Sequence, residues 1–365
     1  MAAAAGRFTP DQKVVSLSLR KAKDDCLPMT SVIDPAAIAP DPEPGGFTVA
    51  RAQIASLAEH MSRGLIGRTR LVERLLVGLL ANGHLLIEGP PGLAKTRAVK
   101  LLAEGVDASF ARIQCTPDLM PADLTGTPVF RPDRGAFEFV KGPVFHSLVL
   151  VDEINRAPPK VQSALLEAMA EHQVTSGGTT YALPDPFMVV ATQNSIEHEG
   201  TFPLPEAQLD RFLLHVTVDL PGAADELQIL ELVERETTAV SAPTPERIGP
   251  DDIRGARVAA MRVHLAPALK DFIVRLVTAT RDAAVAPDIR RAIEHPISPR
   301  GTLALAAAAK ARAYLSGRDY AVPEDVIELA ADALAHRLVL TWRAAADGET
   351  PRKLIARLLD QVQPL

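Results

Sequence analysis

The sequence predicts a layered α/β domain followed by an all-helical domain. Five short apolar runs occur between residues 84 and 218, and helical stretches separate several of them. Most of the runs lack a polar alternation, which is typical of strands buried on both faces of a parallel sheet. Strands that alternate with helices along a chain form a layered α/β domain. After Pro221 the pattern is helical, so a second domain is predicted to begin near residue 220.

The predicted elements follow the chain in order. The strands are residues 84–87, 110–114, 148–151, 187–191 and 212–218. The helices between them are residues 96–104, 159–171 and 206–210, and those of the second domain are residues 226–234, 266–279, 299–315 and 323–335. We therefore predict a flexible tail over residues 1–46, an αβα core over residues 47–220 and a helical lid over residues 221–365. Met29 is a second candidate start site within the tail.

Composition argues against several classes of protein. Hydrophobic residues make up 47% of the 365 residues, yet no window of about 18 uninterrupted apolar residues could cross a membrane. A net charge of −6 and an aromatic content of 4% argue against a nucleic-acid reader. Cys26 and Cys115 cannot form a disulfide framework, so a reducing cytoplasm is the expected environment. Cys115 is predicted to be a packed residue beside a strand.

A phosphate-binding loop is predicted between the first strand and the next helix. Glycine lets the backbone approach a phosphate, and the N–H groups of a helix N-terminus bind the anion. Lys95 would reach the β- and γ-phosphates of ATP, and the Thr96 hydroxyl would be a ligand of Mg²⁺. The alternative is a plain turn before a helix. The residues predicted to bind nucleotide are Gly89, Pro90, Pro91, Gly92, Leu93, Ala94, Lys95 and Thr96.

Two carboxylates end the third predicted strand. Ionised groups are costly to desolvate, so Asp152 and Glu153 after a buried run are hard to explain by packing. Asp152 is predicted to bind nucleotide and, together with Thr96, Mg²⁺. Glu153 is predicted to orient and polarise the attacking water. A solvated strand end is the alternative.

These motifs make the chain resemble the AAA+ ATPases and, within them, the MoxR family. The resemblance extends from about residue 50 to the C-terminus. It is carried by residues 89–96 (GPPGLAKT), 152–159 (DEINRAPP), 191–194 (ATQN), 199–212 (EGTFPLPEAQLDRF) and 298–300 (SPR). Many phosphate loops have glycine before the lysine, whereas alanine is usual in MoxR proteins. The resemblance implies a five-stranded parallel sheet in the order 5-1-4-3-2, a helical lid and a ring, usually of six subunits.

The resemblance also implies roles for residues outside the loop. Asn194 matches sensor 1, which positions the attacking water; a turn cap is its alternative. Arg211 matches the arginine finger, which reaches the γ-phosphate bound by the neighbouring subunit, whereas its alternative is a salt bridge to Asp210 or Glu206. Arg300 matches sensor 2, acting in the same or the adjacent chain, and a surface arginine is its alternative.

Further segments carry weaker expectations. Arg156 either faces a neighbour's nucleotide or pairs locally with Glu171. Ile66-Gly67-Arg68 lies where related ATPases pack against adenine. Residues 127–139 and 174–181 are predicted hairpins that, by resemblance, face the ring pore; plain surface hairpins are the alternative.

The function implied by the resemblance is an ATP-driven, chaperone-like machine that remodels protein clients. A von Willebrand factor A protein is the implied partner. This chain has no Asp-x-Ser-x-Ser stretch, so that domain would have to come from another polypeptide. The alternatives are a nucleic-acid motor and a slow nucleotide-dependent switch or scaffold.

Overall fold

The computed structural model describes residues 44–195, 200–238, 246–282 and 286–364, with side chains from residue 50 onwards. Most of the predicted tail, including Cys26 and Met29, lies outside the described residues. The first helix begins at Pro44, within the last residues of that tail. The domain boundary near residue 220 stays a prediction.

The helices are α1 (Pro44–Gly64), α2 (Thr69–Leu80), α3 (Lys95–Glu104), α4 (Pro121–Thr125), α5 (Pro159–Glu171), α6 (Glu206–Leu209), α7 (Ala223–Thr238), α8 (Pro250–Arg262), α9 (Pro267–Thr278), α10 (Pro287–Ala292), α11 (Pro299–Leu315), α12 (Pro323–Leu334), α13 (Trp342–Ala346) and α14 (Pro351–Gln361). The strands are β1 (Leu85–Glu88), β2 (Phe110–Gln114), β3 (Gly126–Arg131), β4 (Ala136–Lys141), β5 (Leu148–Asp152), β6 (Gln173–Ser176), β7 (Thr179–Ala182), β8 (Met188–Gln193), β9 (Leu214–Thr217), β10 (Ile293–His295) and β11 (Val339–Leu340).

The central sheet is parallel and has the strand order β2-β5-β8-β1-β9. This is the predicted 5-1-4-3-2 order, and each of the five predicted strands ends within two residues of the observed one. The interior strands β1, β5 and β8 are buried almost throughout, since hydrophobic clusters cover both faces of the sheet. Burial on both faces explains the unbroken apolar runs in the sequence.

Both predicted hairpins are confirmed. Strands β3 and β4 pair around the turn before Ala136, and β6 pairs with β7 around Gly177-Gly178. Phe139 of the first hairpin stacks on Tyr181 of the second, with ring centroids 4.3 Å apart. The two hairpins are therefore joined by an aromatic contact.

The region after residue 220 is helical, but one prediction about it was wrong. Strands β10 and β11 form a short antiparallel pair, although no strand pattern was recognised after Pro221. Strands of three and two residues are too short to leave a periodic signal in the sequence. Among the described residues, no helix is both long enough and apolar enough to cross a membrane.

A buried ionic cluster joins the core to the lid. The guanidinium of Arg74 on α2 is fully buried and donates through Nε to Asp332 Oδ2 on α12, at 2.8 Å. Arg70 and Arg352 also donate to the Asp332 carboxylate. Burial alone would raise the pKa of Asp332, but the Arg74 hydrogen bond and the nearby guanidinium charges outweigh burial and lower it. The lid is therefore held against α2 by buried ion pairs whose charges neutralise one another.

Asp332→Ala should destabilise the protein by about 3–5 kcal/mol, because it removes the buried carboxylate that Arg70, Arg74 and Arg352 share and leaves the buried Arg74 Nε–H without the acceptor described for it. The measurement is equilibrium urea unfolding near neutral pH. Glu59→Ala is the matched control. It breaks an ion pair with Arg63 that is mostly exposed, so its cost should stay below about 1 kcal/mol. Equal effects of the two substitutions would contradict the role assigned to this cluster.

Candidate functional site

The predicted phosphate loop connects β1 to α3 at the carboxyl edge of the sheet. Gly92 and Ala94 have positive φ values of 80° and 57°. Ala94 thus adopts the left-handed conformation that glycine favours, at the modest cost of its Cβ. No described side chain caps the N-terminus of α3, so its first N–H groups stay available for an anion. The Lys95 ammonium donates to the carbonyls of Gly89 and Gln193 and lies across the loop.

The Asp152 carboxylate brings three elements together. It is buried at the end of β5, where Thr96 Oγ1 lies 3.3 Å from its Oδ2 and Thr192 Oγ1 lies 3.1 Å from its Oδ1. Arg112 on β2 donates through Nε to Oδ2 at 2.6 Å. Thr96 and Asp152, predicted to share Mg²⁺, are therefore adjacent. Their hydroxyl and carboxylate oxygens are the hard ligands that Mg²⁺ prefers, so the residues present fit this ion.

Glu153 has a strained backbone, with φ 57° and ψ 53°. Its N–H donates to Thr192 Oγ1, and its carboxylate accepts from Gln114 Nε2 at 3.2 Å. Arg156 Nε also lies 3.2 Å from Glu153 Oε2. Glu171 was the local partner expected for Arg156, but the described ion pair is with Glu153, which lies three residues away along the same turn.

These groups line a cavity of about 740 Å³, which falls in the usual range for small-molecule sites. The wall includes the predicted residues Pro91, Gly92, Leu93, Ala94, Lys95, Thr96, Asp152, Glu153 and Asn194. Ile66-Gly67-Arg68, expected near adenine, is not among the described residues of the wall. Instead, Arg68 donates to the carbonyl of Asp219.

Arg211 and Arg300 lie apart from this cavity, and neither belongs to its described wall. Arg211 Nη1 donates to the carbonyl of Leu166 on α5, at 3.3 Å. Arg300 Nη1 lies 3.3 Å from Asp210 Oδ2 and its side chain is 61% exposed. The structure therefore brings the phosphate loop, Asp152, Glu153 and Asn194 together, but it does not bring the two arginines to them.

Sequence reasoning missed the buried residue Arg337, which follows α12. Its Nε donates to Asp210 Oδ1 at 2.8 Å, and its Nη2 donates to the carbonyl of Phe212. Asp210 precedes Arg211 in the chain, so the lid holds both neighbours of the predicted arginine finger. No local signal identifies the role of Arg337, because Asp210 and Phe212 lie more than 120 positions away from it.

Arg112 and Gln114 were missed as well, although their alternation around the apolar Ile113 was a usable signal. In a strand, residues i and i+2 lie on the same face, so both polar side chains of β2 reach the cavity. Cys115, the next residue, is buried as predicted. Burial, together with the charges of Asp152 and Glu153, raises the pKa of its thiol to about 12, so the thiol stays protonated at neutral pH.

Two family comparisons match this chain in separate regions. Residues 84–214 match the ATPase family associated with various cellular activities (AAA), and residues 285–358 match the AAA lid domain. The first match covers the central sheet from His84 to the start of β9 and includes the whole phosphate loop.

Similar whole chains are also found. Chaperone MoxR1 of Mycobacterium tuberculosis is 45% identical over 87% of this chain and 85% of its own. Protein MoxR of Paracoccus denitrificans is 35% identical over 78% of this chain and 88% of its own. The crystal structure of a candidate ATPase from Cytophaga hutchinsonii superposes with a TM-score of 0.81 at 40% identity, covering 88% of this chain and 97% of that one.

Proposed function

The chain belongs to the MoxR family of AAA+ ATPases, and on that basis we propose that it hydrolyses ATP at sites shared between the subunits of a ring. The observation that carries the proposal is the convergence on Asp152. The loop hydroxyl of Thr96, the β8 hydroxyl of Thr192 and the Asp152 carboxylate meet at one cavity edge, and Lys95 and Glu153 line the same cavity. Binding and hydrolysis of a nucleoside triphosphate need this set of groups together.

The proposed chemistry assigns one task to each group. Backbone N–H groups of residues 89–96 and the Lys95 ammonium bind the phosphates. Thr96 and Asp152 would hold Mg²⁺, which would neutralise phosphate charge when bound. Glu153 accepts a proton from the attacking water, and Asn194 holds that water in place. The described contacts of Gln114 and Arg156 are both to Glu153 Oε2, and they hold the carboxylate at the cavity wall.

The positions of Arg211 and Arg300 support a site completed by a neighbouring subunit. Both guanidinium groups lie off the wall of their own chain's cavity, and Arg300 is largely exposed. A guanidinium that reaches the γ-phosphate of an adjacent chain spreads positive charge over the transferring oxygens. We therefore assign Arg211 to this task in trans, and Arg300 to sensing the nucleotide across the same interface. A ring of six subunits is the expected assembly.

The proposed output is the remodelling of protein clients. The β3–β4 hairpin exposes Phe130 and Phe137, which pack edge to face 5.4 Å apart. Exposed large apolar side chains on an ordered hairpin indicate a contact surface, and the Phe139–Tyr181 stack fixes this hairpin to its neighbour. The chaperone name of the mycobacterial relative agrees with this proposal. A von Willebrand factor A partner is implied by the family resemblance alone, and a cytoplasmic location remains a prediction from the sequence.

Lys95→Ala and Glu153→Gln should separate binding from hydrolysis. Lys95→Ala should lose ATP binding, because the loop loses its mobile positive charge. Glu153→Gln should retain ATP but hydrolyse it roughly 10²–10⁴-fold more slowly, because the water loses its base. Equilibrium binding of labelled ATP and phosphate release measure the two effects. Glu59→Gln, an exposed change on α1, serves as the control that should leave both unchanged. Near-normal turnover of Glu153→Gln would contradict its assigned role.

Mixing two inactive variants should test the role of Arg211 in trans. Arg211→Ala keeps its own phosphate site, and Glu153→Gln keeps its own arginine. Equal mixing into rings should therefore restore up to about a quarter of wild-type phosphate release, the fraction of interfaces that combine both intact parts. A mixture of Arg211→Ala with the double variant Arg211→Ala/Glu153→Gln is the matched control and should stay inactive. If the rings are shown to be mixed and phosphate release still equals that of the control, the assignment of Arg211 is overturned.

A further inference from the structure

Arg112 contacts the carboxylate predicted to bind the metal. It lies on the edge strand β2, its side chain is 48% exposed, and it lines the nucleotide cavity. Its Nε donates to Asp152 Oδ2 at 2.6 Å, while its Nη2 donates to Gln114 Oε1 at 3.1 Å. Because the side chain is half exposed, it can leave this position without opening the hydrophobic core.

Thr96 Oγ1 lies almost equally far from both Asp152 oxygens, 3.3 Å from Oδ2 and 3.4 Å from Oδ1. The buried Thr192 donates to Oδ1, whereas the half-exposed Arg112 donates to Oδ2, so Oδ2 is the oxygen that the metal would compete for with Arg112. A guanidinium and a small divalent cation cannot both approach the same carboxylate oxygen closely, because like charges repel at short distance. Binding of the metal here therefore requires Arg112 to move.

We propose that Arg112 is a positioning residue that stands in for the metal at Asp152 and is displaced by Mg²⁺ when nucleotide binds. Without metal, the guanidinium neutralises the buried carboxylate, so the phosphates of a metal-free nucleotide meet less repulsion. With metal, the same guanidinium competes for Asp152 and weakens the effect of Mg²⁺. The inference rests on the proposed ATP site.

The proposal predicts a specific change in how strongly Mg²⁺ enhances ATP binding. The relevant quantity is the ratio of the ATP dissociation constant without Mg²⁺ to that with Mg²⁺. Arg112→Gln should weaken metal-free binding and free Asp152 for the metal, so the ratio should rise by about tenfold, the factor that one charge-assisted hydrogen bond is worth. If the guanidinium instead binds phosphate directly, Arg112→Gln should weaken ATP binding equally with and without Mg²⁺ and leave the ratio unchanged.

The experiment is a fluorescence titration of the full chain with N-methylanthraniloyl-ATP, in EDTA and in excess Mg²⁺. Arg112→Lys keeps the positive charge without the guanidinium fork, so its ratio should lie between those of the wild type and Arg112→Gln. Arg275→Gln is the matched control. Arg275 Nε makes the same kind of contact, to Asp271 Oδ2 at 2.7 Å, on the exposed side of α9 in the lid.

Each outcome decides one of the two claims. A ratio that rises in Arg112→Gln and stays at the wild-type value in Arg275→Gln supports the proposal. A ratio within twofold of wild type in Arg112→Gln overturns the proposal, while ATP binding by the wild type still supports the proposed function. If the wild type binds no nucleotide in either buffer, the proposed function fails and this inference fails with it.

Discussion

The site depends on how one buried carboxylate is compensated. Asp152 ends a strand that is covered on both faces, where an ionised group is stable only if several donors reach it. Thr96 comes from the phosphate loop, Thr192 from β8 and Arg112 from β2. These donors are far apart in the sequence and meet because β2, β5, β8 and β1, which leads into the phosphate loop, are consecutive parallel strands of the sheet. The strand order therefore brings these donors to the Asp152 carboxylate.

A second constraint ties the lid to the same region. Asp210 accepts from Arg337 and pairs with Arg300, and both of these partners belong to the lid. The segment that carries Arg211 is thus bonded to side chains of the lid. A change in lid orientation would therefore act directly on the segment that carries Arg211. The buried Arg74–Asp332 pair adds a second connection between the lid and the rest of the chain.

Local patterns in the sequence predicted much of this structure. The strands could be recognised because they are buried on both faces, and the phosphate loop because its conformation demands small residues before a helix. Arg74 could not be recognised. It lies among the leucines of α2, and its fully buried partner Asp332 is 258 positions away. The alternation of Arg112 with Gln114 was a usable signal for their shared face, but the contact of Arg112 with Asp152 could be known only from the pairing of β2 with β5.

The candidate site residues also divide into those that short motifs predicted and those whose roles depend on a second subunit. Lys95, Thr96, Asp152 and Glu153 lie in two short motifs, and the structure brings both motifs to one cavity. The roles of Arg211 and Arg300 depend on a second subunit, so they stay predictions of the family resemblance. The sequence also missed β10 and β11, because pairs this short are fixed by tertiary contacts and not by periodicity.

Steady-state Mg²⁺-ATP hydrolysis per subunit, measured over a wide range of chain concentration alongside sedimentation, tests the shared site most directly. If neighbouring subunits complete each other's sites, specific activity rises as the chain assembles and levels off once the rings are complete. Substantial activity that stays constant while sedimentation shows a monomer would contradict the account, because each chain would then hydrolyse ATP without a neighbour's arginine.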